Sequence, residues 1–68
     1  MRMARKAQKN AEIIAKFLKE NYGGQSVTKA SLKAKFSLPN NRSVLVWEYL
    51  RTYGIDVEHQ TIIVPATS

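Results

Sequence analysis

The chain has 68 residues, no cysteine, and eleven Lys and Arg against five Asp and Glu, for a formal charge of +6 and a sequence pI near 10.0. This length excludes a two-lobed enzyme with a cleft between domains, and without cysteine there is neither a disulfide framework nor a thiolate metal site. The longest apolar run, residues 44–47, is far below the ~18 residues of a membrane span, and no apolar stretch follows the basic start as in a secretory signal. The expectation is one small soluble domain over residues 1–68, cytoplasmic and without a membrane partner. A core of this size supplies only ~3–5 kcal/mol, so a homodimer or a ligand would help it.

The first periodic segment spans residues 5–22. Ala7, Ala11, Ile14, Leu18 and Tyr22 recur every three or four positions with Ala15 and Phe17 beside them, which makes one apolar stripe on a helix. Gly23-Gly24 ends it. Ahead of it, residues 1–5 read as a basic arm, and Arg2, Arg5, Lys6 and Lys9 would follow a groove or flank.

Ser26-Val27-Thr28 then leads into a second helix over residues 29–36. Thr28 suits an N-cap, and Val27 with Leu32 fits a hydrophobic staple. Val27 also offers a bridge to a small sheet.

Ser37-Leu38-Pro39-Asn40 breaks the chain, since proline disfavours helical geometry at Leu38 and Asn40 can cap the next helix. That third helix is expected over residues 41–53. Val46, Trp47, Tyr49, Leu50 and Tyr53 share its broad apolar face; Asn40, Val44 and Arg51 share one flank, and Leu45 lies off the stripe.

After Gly54 the period becomes two. Ile55 and Val57 alternate with Asp56 and Glu58, a turn comes at Glu58-His59-Gln60, and the β-branched run 61–64 stops at Pro65, leaving residues 65–68 as a tail. The resulting fold class is α+β, mostly α: a three-helix winged helix-turn-helix with a small C-terminal β-hairpin. Ile55, Val57, Ile63 and Val64 are expected to cover a core of Ile14, Phe17, Leu18, Leu32, Phe36, Trp47 and Leu50.

Charge follows this division. Residues 1–22 and 23–53 each carry +4, whereas residues 54–68 carry −2. A basic helix-turn-helix points to double-stranded DNA, with the third helix in the major groove. Its first turn, Asn40-Asn41-Arg42-Ser43, holds the residue types that pair with adenine, with guanine and with base or phosphate. Leu45 would rest on a thymine methyl, while Lys29, Lys33 and Lys35 would lie over the phosphates. The acidic hairpin tip is expected to be structural or to face a partner subunit. Alternatives of other classes are a protein-protein interaction module built on Val44, Leu45 and the acidic hairpin, and a binder of structured RNA.

Val27-Thr28, Phe36-Ser37-Leu38, Trp47-Glu48-Tyr49-Leu50 and Tyr53-Gly54-Ile55 together resemble the winged-helix domains at the C-terminus of the selenocysteine-specific elongation factor. The resemblance covers residues 27–55 and implies the fold. The chain departs from that family just past Ile55, where Asp56 replaces a basic residue, so the family's RNA role is not carried over. Small stand-alone winged helices of this sort look like transcriptional regulators or DNA-architecture factors, often phage- or plasmid-encoded and nucleoid-associated, acting as dimers or arrays.

No catalysis, cofactor or small-molecule substrate is expected. His59 is the single histidine, which rules out a multi-histidine metal cluster. Asp56 and Glu58 have no nucleophile beside them, and Gly23-Gly24 lacks the surroundings of a phosphate-binding loop.

Overall fold

Residues 2–21 contain neither proline nor glycine, and Arg2–Asn21 form a single helix, α1, in the computed structural model, which describes residues 2–66 with side chains from Arg5 onward. The helix begins three residues before the periodic segment. Arg, Met, Ala and Lys are all good helix formers, so nothing near Arg5 starts a new conformation. The basic arm expected over residues 1–5 is therefore, from Arg2, the first turn of α1. Ala7, Ala11, Ile14, Ala15 and Leu18 are buried along its stripe. Gly24 takes φ 78° after α1, and its N–H donates to the Val64 carbonyl at 3.1 Å, which ties the end of α1 to the last strand.

β1 (Ser26–Thr28) feeds directly into α2 (Lys29–Phe36). Thr28 is the N-cap, its Oγ1 accepting from the Ser31 N–H at 3.1 Å. Val27 packs half-buried against the core and Leu32 is buried in it, as the staple requires. The helix closes at Ser37, whose φ 52° and ψ 48° are left-handed. The Ser37 and Leu38 N–H groups both donate to the Lys33 carbonyl.

The turn then delivers α3 (Asn40–Thr52), shifted one residue from expectation. Its N-cap is Pro39, which contributes its carbonyl to the Ser43 N–H at 2.9 Å and no side chain; Asn40 lies inside the helix. Val46, Trp47 and Leu50 are buried, with Tyr49 and Tyr53 packed at the margin. Gly54, at φ 81°, turns the chain into the hairpin.

β2 (Asp56–Val57) and β3 (Thr61–Ile63) pair antiparallel, and β1 adds to the far side of β3, giving the order β1-β3-β2. Val57 and Val27 both lie opposite Ile62 in the register. One expectation is overturned here. Ile62 and Val64 point inward, while Ile63 is 40% exposed, because adjacent strand residues cannot both face the core. The outcome is three helices with a small three-stranded antiparallel sheet, mostly helical, in a winged-helix layout. α1 packs most extensively on α3, and the sheet closes the end of the core with Ile55, Val57, Ile62 and Val64. Among the described residues, no helix is long and apolar enough to cross a membrane.

Candidate nucleic-acid interface

Lys29 and Lys33 stand one turn apart on α2, so they share a face. That face borders a depression of about 350 Å³ between α2, the start of α3 and the hairpin tip. Asn40 and Val44 line it from α3, His59 and Gln60 from the tip, and Ser43 and Trp47 from below. Three contacts hold its walls together. The Lys33 Nζ donates to Asn40 Oδ1 across the turn. The Lys29 N–H donates to the Gln60 carbonyl at 2.9 Å, and its Nζ lies 5.8 Å from the Trp47 ring centroid. A second depression adjoins the first at Lys29 and His59 and is bounded by Arg51, Val57 and Glu58. There Arg51 Nη2 donates to the Val57 carbonyl at 3.0 Å, which holds the guanidinium against the hairpin. The joint rim thus carries Lys29, Lys33 and Arg51 against one carboxylate, Glu58.

The expected residues do not all come together. Lys29, Lys33 and Asn40 come together, although the Asn40 side-chain oxygen is occupied by Lys33. Asn41 is exposed and Arg42 half-buried at the start of α3. Ser43 and Leu45 are corrections. Ser43 is 3% exposed, and its Oγ donates to the Asn40 carbonyl at 2.8 Å, so it is part of the interior. Leu45 is half-buried and packed against the core, with Tyr49 one turn further on. On α3 the large apolar side chain left exposed is Val44, at 61%.

Lys35 does not join its neighbours. It is about 200° around the helix from Lys33, and its Nζ lies 5.1 Å from the Phe17 centroid, on the side of α1. Arg5, Lys6 and Lys9 are exposed on α1 rather than extended along a groove, and the Arg2 side chain lies outside the described residues.

Arg51, Val44 and the hairpin tip were not expected among the DNA contacts, Val44 and the hairpin being assigned to the alternative protein-interaction surface. A signal for the first two existed, because the helical wheel of α3 already sets Asn40, Val44 and Arg51 on one flank. For His59 and Gln60 there was none, since which helix end a hairpin tip meets depends on the register of the sheet. Among the described residues, no group of three or more His, Asp or Glu side chains converges as metal ligands. A scan against protein-family models, a search of curated proteins and a search of solved structures each return no match.

Proposed function

We propose that the chain binds double-stranded DNA, with the outward face of α3 in the major groove and the phosphate backbone along Lys29, Lys33 and Arg51. The observation that carries this reading is that α2, α3 and the hairpin converge on one cationic rim. A B-DNA major groove is about 12 Å wide and admits a single helix. Asn41 then reaches base edges from the first turn, Arg42 borders them, and Val44 replaces Leu45 as the contact for a thymine methyl. The Pro39 cap leaves the first-turn amides of α3 without a side-chain acceptor, which suits a phosphate. On this reading the protein is a transcriptional regulator or architectural factor of the nucleoid.

Selection from a randomised duplex pool, with footprinting of the enriched sequences, tests it. Enrichment of a short motif is expected, and a palindromic one would add a dimer. Arg42→Ala should relax one base position at a cost of ~1–3 kcal/mol, while Lys33→Ala weakens all duplexes alike. Retention of no duplex at any salt concentration would end the reading, and preferential retention of hairpin RNA would move it to RNA.

Glu48, in the middle of the exposed arc of α3 beside Val44, favours a second reading as a protein-interaction surface. In that case the same pool yields no salt-dependent binding.

A further inference from the structure

The first eleven residues contain no acid, and α1 has none in its first turn. Arg5, Lys6, Lys9 and Lys16 are all exposed. At about 100° per residue they lie within one outward arc, opposite the buried stripe of Ala7, Ala11, Ile14 and Leu18. Helix stability does not call for Arg5, because a cation in the first turn of a helix opposes its dipole.

The stripe of α1 packs on α3, whose own buried residues are Ser43, Val46, Trp47 and Leu50. Two helices that bury facing stripes expose faces that point apart. The cations of α1 are consequently turned away from the exposed arc of α3 that carries Asn41 and Glu48. We infer that the exposed face of α1 is a second contact for duplex DNA, through its phosphates, so that one molecule joins two duplex segments.

This rests on the duplex-binding reading and adds a second, separate surface to it. Charge complementarity selects the occupant: Arg5, Lys6 and Lys9 form a cluster with no acid among them, Glu12 and Glu20 entering the same arc only beyond it beside Lys16, and such a cluster matches a line of phosphates. Dimensions permit it. The chain measures 35 × 19 × 18 Å, so duplexes on opposite faces are separated by about two Debye lengths at 0.1 M salt and repel each other weakly.

The test is capture of a labelled duplex by an immobilised one, beside ordinary binding to a single duplex, with monomer confirmed by sedimentation. The variants are Lys6→Glu/Lys9→Glu and Lys29→Glu/Lys33→Glu. The wild type should bridge. The α1 variant should keep single-duplex binding within about threefold, lose bridging by about tenfold or more, and melt close to the wild type, because both lysines are exposed on the helix surface. The α2 variant should lose single-duplex affinity as well. Wild-type binding without bridging, or full bridging by the α1 variant, overturns this inference and leaves the duplex-binding reading intact. Wild type that binds no duplex removes both, and bridging only by a sedimenting dimer overturns the two-faced monomer.

Discussion

The backbone N–H of Lys29 donates to the carbonyl of Gln60 at 2.9 Å, so the first residue of α2 and the tip of the hairpin are one hydrogen-bonded unit. First-turn amides of a helix have no partner within the helix itself. Here the hairpin supplies one, and Thr28 satisfies the Ser31 N–H with its side chain. The Lys29 amide should therefore exchange with solvent as slowly as the strand amides. Thr28→Ala should cost ~1 kcal/mol in denaturant unfolding and speed exchange at Ser31, while Thr28→Ser should restore most of the loss.

Two residues with positive φ should respond in opposite directions. Ser37 holds φ 52° with a side chain that disfavours it, and Ser37→Gly should raise stability by about 0.5–1 kcal/mol after the greater freedom of the unfolded chain is subtracted. Gly54 holds φ 81°, and a Cβ there would meet nothing within 4 Å. The ~1 kcal/mol loss expected for Gly54→Ala is thus a pure backbone effect. At this chain length 1 kcal/mol moves Tm by about 4–8 °C, which calorimetry resolves.

Element order, the Thr28 cap and the glycine stops come from spacing and capping chemistry and are readable without coordinates. The interface is half readable, because burial on α3 is decided by what covers it. Ser43 falls between Val46, Trp47 and Leu50 on the wheel, and its polarity suggests a surface residue; a hydroxyl bonded to its own helix is content inside. Leu45 lies off the stripe but leans with Tyr49 onto the core, which exposes Val44 instead. Ile62 and Ile63 exchange roles through the hairpin register, which a run of four β-branched residues does not specify.

Trp47, the single tryptophan, lines the groove beneath Lys29 while being 8% exposed. Duplex binding at the rim should change its emission, and Lys29→Ala should reduce that change by removing the cation over the ring. An emission spectrum unmoved by saturating duplex would place the contact elsewhere.

Glu48 sits in the exposed arc of α3 that would face DNA. Glu48→Gln should tighten binding to random duplex about threefold at low salt, with the gain vanishing as salt screens the charge. If affinity stays the same at low salt, α3 does not face the phosphates.

The central claim is that Lys29 and Lys33 lie against the DNA backbone, and the salt dependence of affinity measures it most directly. Titration of one duplex across a salt series should give a log–log slope for Lys29→Ala/Lys33→Ala shallower than wild type by about two, with affinity lowered at every salt concentration. A slope equal to that of the wild type would contradict the account, since the two lysines would then release no counterions from the duplex.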